Sequence, residues 1–183
     1  MAPNTLRSMQ QTNKIFAKSN TFLYFAYGSN LLTERIRINN PSARKVAIAR
    51  LCRWRLDFNL YGKAWHGAAA TIVPDSNCNV WGVVWEIDND DMINLDKQEY
   101  GYDAVTVEVE SDNCTKYACR SYVMSSPFVG DRRPSTVYKN VIIKGAIEHQ
   151  LPEDYINMLH QIVDNGYDGP VGINISVDSL RNG

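Results

Sequence analysis

Apolar residues in this chain fall into short dense runs separated by helical stripes. Phe22 to Tyr27 is an apolar and aromatic run of strand length, and it stops at Gly28-Ser29-Asn30, residues that favour turns and helix caps. Leu31, Leu32, Glu34, Arg35 and Ile36 then read as a short amphipathic helix that ends at Asn39-Asn40-Pro41. The predicted unit is strand, tight loop, helix. Main-chain N–H groups in such a loop point one way and the helix start adds positive charge, which suits a carboxylate, a phosphate or a developing oxyanion. An ordinary capped connection has the same pattern, so the pattern alone does not choose.

Further along, Val46 to Phe58 predicts a long strand or a bent pair. Ala68 to Val73 and Val80 to Ile87 predict two strands joined as a hairpin through Pro74-Asp75-Ser76-Asn77. In Tyr102 to Glu110, Val105, Val107 and Val109 alternate with Ala104, Thr106 and Glu108, the mark of a half-buried strand. Lys116 to Met124 is a further strand after the turn Ser111-Asp112-Asn113. Trp81 and Trp85 share parity and are expected in the core. Ser125 to Thr136 reads as a loop. Tyr138, Val141, Ile142, Gly145 and His149 then follow helical spacing. A last helix opens at Leu151-Pro152-Glu153-Asp154, with Tyr155, Met158, Leu159 and Ile162 as its buried stripe. Many short, mostly antiparallel strands with a few helices predict an α+β domain built on a curled sheet or small β-barrel flanked by helices.

The domain is expected over residues 21–165. Residues 1–20 are polar, with no acidic residue and no apolar core of a secretory signal, and are expected as a disordered extension; a transit peptide is the alternative. Residues 166–183 carry little pattern and are expected as an irregular tail. Net charge of −1 offers nothing to nucleic acid or an anionic membrane, and no apolar run approaches the ~20 residues needed to span a bilayer. The expected location is the cytoplasm. Arg44, Lys45, Arg50, Arg53 and Arg55 read as a solvated strand face. Cys52, Cys78, Cys114 and Cys119 form no metal-ligand spacing, so free thiols are expected, with a Cys114–Cys119 disulfide as the alternative. His66, His149 and His160 have no partner pattern, and Ser29 lacks the Gly-x-Ser-x-Gly elbow of a nucleophile.

The helical pattern from about Asp88 to Tyr100 contains one misplaced residue. At about 100° per residue, with Met92 at zero, Leu95 falls near 300° and Glu99 near 340°. A carboxylate thus occupies the apolar face, and Asp96 lies on the same side. A carboxyl among apolar groups resists ionisation, which raises its pKa toward values useful for proton transfer at neutral pH. The plain alternative is that Glu99 marks a helix end where the face turns to water.

Tyr24-Phe25-Ala26-Tyr27-Gly28-Ser29-Asn30-Leu31 resembles the signature of the γ-glutamylcyclotransferase family. Trp81-Gly-Val-Val-Trp85 and Leu95-Asp-Lys-Gln-Glu99 match in the same order and spacing, and the likeness covers about residues 22–165. It implies an enzyme that releases 5-oxoproline from γ-glutamyl dipeptides in glutathione metabolism, needs no cofactor or metal, and forms a homodimer. The family's catalytic glutamate falls on Glu99, and its substrate pocket on Tyr24, Phe25, Ala26, Tyr27, Gly28, Ser29, Asn30 and Tyr138. There is one departure. Tyr100 stands between Glu99 and Gly101, where close relatives place glycine directly, and the loop that follows is short. Glutathione-specific and γ-glutamylamine cyclotransferases resemble this loop less well. The alternative from another class is a non-catalytic module that binds a small carboxylate.

Overall fold

The computed structural model describes residues 14–15, 20–124 and 130–175. Its strands are β1 (Lys14–Ile15), β2 (Thr21–Ala26), β3 (Arg44–Gly62), β4 (Gly67–Asp88), β5 (Asp103–Glu110) and β6 (Lys116–Val123). The helices are α1 (Thr33–Asn39), α2 (Met92–Gln98), α3 (Thr136–Glu148) and α4 (Glu153–His160), with 3-10 turns at Ser29–Leu31 and Asn89–Asp91. Strand order is β1-β6-β2-β4-β3-β5, and β5 also pairs with β6, so five strands close into a barrel with β1 outside it. Most pairings are antiparallel; β2 and β1 both run parallel to β6. This is the predicted α+β class, with the barrel form realised.

The expected hairpin through Pro74–Asn77 is not there. Both of its predicted strands belong to β4, and both pair with β3: Pro74 lies opposite Trp54 and Asn79 opposite Cys52. Four residues, Asp75 to Cys78, therefore stand against one, Arg53, whose φ of 65° is left-handed. Turn-forming residues here make a bulge that the strand runs through without reversing. The reversal comes earlier in the chain, at Lys63–His66, between β3 and β4.

Trp85, Phe25, Leu31, Leu32, Ile36, Leu95 and Ile142 are fully buried and fill the space between barrel and helices. Trp81 is partly buried against the same cluster. Helix α3 seats directly on the turn after β2. A Cβ at Gly145 would lie 2.5 Å from Leu32 N, so only glycine lets the two backbones approach this closely. In α4 the buried stripe narrows to Tyr155 and Leu159, and Met158 is exposed, contrary to expectation. The i, i+4 pair Tyr155 and Leu159 faces the core, and Met158 between them turns to water.

Lys14 and Ile15, inside the stretch expected to be unstructured, pair with Lys116 and Tyr117; the rest of residues 1–19 lies outside the described residues. Residues 166–175 contain no helix or strand, yet they pack. Gly172 N–H donates to Ala64 O at 3.0 Å, His66 stacks on Tyr167, and Ile175 is buried. Residues 176–183 lie outside the described part. All four cysteines are free thiols. Among the described residues no helix is long and apolar enough to cross a membrane, and no cluster of His, Cys, Asp and Glu suits a metal ion.

Candidate active site

The chain leaves β2 at Tyr27 and enters the 3-10 turn through Gly28. A side chain at Gly28 would meet Ala70 Cβ and the Tyr138 hydroxyl, each at 3.3 Å, so its absence lets both groups close on the loop. Asn30 follows, buried and fully tied. Its carbonyl accepts from Trp85 Nε1 at 3.0 Å and its Oδ1 from Gln98 Nε2 at 2.8 Å. Its Nδ2 donates to Glu99 Oε1 at 2.9 Å and to the Tyr24 hydroxyl at 3.1 Å. One amide side chain therefore links the loop to the end of α2.

Glu99 does mark the helix end: α2 stops at Gln98, and Glu99 has φ −88° and ψ 29°. Its side chain nonetheless turns inward and reaches Asn30. Burial pushes the Glu99 carboxyl up to about 7. The Arg35 guanidinium and hydrogen bonds from Gln98, Asn30 and Tyr24 pull the other way and only part of the way back. Asp96 makes no such contact. It accepts from the Tyr122 hydroxyl at 2.5 Å and from Arg120 Nη2 at 2.7 Å, and these donors hold its carboxyl below the usual range despite some burial.

Two connected spaces meet at Glu99. A narrow inner cleft is walled by tyrosines and by Gly28, Ser29, Asn30 and Ala70. A wider outer vestibule holds Arg35, Lys63 and an apolar wall that includes Leu60 and Trp65. Ser29, Glu99, Tyr102 and Tyr138 line both and form the neck between them.

Five tyrosine hydroxyls face this region, and their bonding separates them. Tyr27 donates to Tyr122 O at 2.5 Å, Tyr102 to Ala70 O at 2.7 Å, and Tyr122 to Asp96. Tyr24 bonds Glu99. Tyr138 is different. Its oxygen accepts from Ala70 N–H at 3.1 Å and from Ser29 N–H, and its own O–H has no acceptor among the described residues. Burial pushes the Tyr138 phenol up to about 12, so it stays a proton-bearing donor at neutral pH. The Ser29 amide, expected to face a ligand directly, is thus taken up by this tyrosine.

Of the expected pocket residues, Tyr24, Tyr27, Gly28, Ser29, Asn30 and Tyr138 come together around Glu99. Phe25 and Ala26 do not line the cleft. Both are fully buried in β2, and Phe25 points to the other face of the strand, against Gly82. Sequence reasoning missed Tyr102, Ala70, Gln98 and Arg35. For Arg35 a signal existed. It falls beside Leu32 and Ile36 on the apolar side of α1, as Glu99 does on α2.

Residues 79–159 match the model of the AIG2-like family. A mouse γ-glutamylcyclotransferase is 45% identical over 159 residues, covering 82% of this chain and 84% of its own. The human γ-glutamylcyclotransferase is 42% identical over 171 residues, 89% of each chain. A solved γ-glutamyl cyclotransferase structure superposes with a TM-score of 0.81 at 39% identity, covering 89% of this chain and 99% of that one.

Proposed function

This chain belongs to the γ-glutamylcyclotransferase family, and we propose that it cyclises γ-glutamyl amino acids to 5-oxoproline with Glu99 as the proton carrier. The observation that carries this reading is the inward-turned Glu99 carboxyl at the neck, fixed by Asn30 at 2.9 Å. In the reaction the substrate's α-amine attacks its own γ-carbonyl. A C–N bond forms, a five-membered lactam closes, and the γ-carbon to nitrogen bond of the second amino acid breaks. Attack within one molecule makes holding the folded-back conformer a large part of the acceleration.

The attacking nitrogen must lose a proton and the leaving nitrogen must gain one. A carboxyl that titrates near 7 takes the first and returns it to the second with little penalty in either direction. Negative charge builds on the γ-carbonyl oxygen in between. Tyr138 is the donor placed to meet it, because its oxygen is held by two main-chain N–H groups and its O–H is uncommitted. The amides of the loop then act through this hydroxyl rather than on substrate. No metal or nucleotide enters any step.

The same reading places the reaction in glutathione metabolism and the protein in the cytoplasm as a homodimer; fractionation and sedimentation test the last two. The central test supplies γ-Glu-Ala and measures 5-oxoproline. Turnover by the wild type and retained binding without turnover in Glu99→Gln are expected. Binding with no product in the wild type would favour the carboxylate-binding module instead.

A further inference from the structure

The vestibule contains a cation that the proposed mechanism leaves without a task. Arg35 is 6% exposed, yet it lines this space beside Glu99. Its Nη1 donates to Gln98 Oε1 at 3.2 Å, and its Nε is buried with no acceptor among the described residues. A guanidinium carries five N–H donors, and proteins rarely bury such donors without pairing them. No ion pair closes on it among the described residues, since Asn30, Gln98 and Tyr24 hold the Glu99 carboxyl instead. Desolvation works against its charge, so the site is built at a cost that an arriving anion would offset.

We propose that Arg35 reads the carboxylate of the departing amino acid, and so makes this site select γ-glutamyl amino acids over γ-glutamyl amines. The inference rests on the cyclotransferase reading and extends it. With the reacting carbonyl at the neck, the glutamyl part occupies the inner cleft, whose lining does not include Arg35. Whatever lies beyond the scissile bond occupies the vestibule, where the guanidinium is. Its wall supplies Arg35, an exposed Lys63 at the mouth, and apolar surface from Leu60 and Trp65. Glu99 is the acidic residue lining the vestibule, and its proton is in use. A carboxylate with an apolar side chain complements that set. A simple amine would leave the guanidinium buried and unpaired.

The test compares γ-Glu-Ala with γ-Glu-alaninamide, which differ only in that carboxylate. Wild type is expected to prefer γ-Glu-Ala by roughly ten- to a hundredfold in kcat/KM. Arg35→Met should bring this ratio close to one, and Arg35→Lys should keep part of it. A ratio cancels any effect of the substitution on Glu99, because both substrates share that step. If Arg35→Met does not fold, product inhibition of wild type decides: L-alanine should inhibit and alaninamide should not. Equal kcat/KM in wild type overturns the assignment. So does an unchanged ratio in folded Arg35→Met, as expected if Arg35 held the glutamyl carboxylate, or a ratio lost in Lys63→Ala alone. Absence of 5-oxoproline from either substrate overturns the underlying reading as well, whereas product without discrimination overturns only the inference.

Discussion

Asp96 and Glu99 stand three residues apart at the end of α2, and the protein treats them in opposite ways. Asp96 sits at the surface side, where Arg120 and the Tyr122 hydroxyl converge on it and hold it ionised. Glu99 turns inward, where two amides, one hydroxyl and a more distant guanidinium do not make up for lost water, and its carboxyl rises to about 7. Sequence put both on one helical face. What separates them is the number and charge of donors that other elements bring, β6 for Asp96 and the loop after β2 for Glu99. A helical face therefore tells where a carboxylate goes, and the neighbours decide what it does there.

The sharpest way to break this contrast is Glu99→Gln, which keeps shape and removes the proton carrier. A loss of roughly a hundred- to ten-thousandfold in kcat/KM is expected, with the folded state intact by circular dichroism. Activity near wild type would move the chemistry elsewhere. Next comes the pair of tyrosines that repeat the contrast. Tyr138→Phe removes the uncommitted donor and should cost roughly a hundredfold in kcat. Tyr122→Phe removes a hydroxyl already spent on Asp96 and should cost far less; equal losses in the two variants would count against the assigned donor.

Protonation sharpens the comparison further. Ionised Glu99 is needed to accept the first proton, so kcat/KM should rise with pH through an acid limb near 7. Arg35 lowers the Glu99 pKa, so Arg35→Met should move that limb upward. Stability runs the other way. The folded-state pKa lies above the ordinary 4.5, so this contribution is complete below pH 4.5 and is lost as pH rises through about 7. The swing is up to about 3 kcal/mol, and Glu99→Gln should flatten it in urea melts taken across that range. The smallest effect belongs to Asp96→Asn. Its ion pair with Arg120 is partly exposed, so stability should change by about 1 kcal/mol or less and turnover should stay near wild type. A collapse of turnover there would mean that Asp96 assists after all.

Legibility in the sequence followed the range of the interactions. The stretch from Phe22 to Asn39 was readable because strand, turn and helix signals are local. The alternation of Val105, Val107 and Val109 was readable for the same reason. Pro74 to Asn77 misled, because whether turn-prone residues reverse a strand or bulge out of it depends on the partner strand. Here β3 continues past them. Phe25 lies inside a contiguous motif, but strand geometry sends its side chain to the face opposite that of Tyr24.

The sequence by itself determined that a glycine turn follows a buried strand and that an acid occupies the apolar side of a helix near residue 99. Both are consequences of backbone preference and periodicity within a few residues. Only the tertiary structure decided that Asn30 spans to Glu99, that Tyr138 takes up the loop's amide, and that Arg35 remains without a full set of partners. Those outcomes depend on groups 60 or more positions apart meeting where water is scarce, and there the strength of a charge is set by its surroundings.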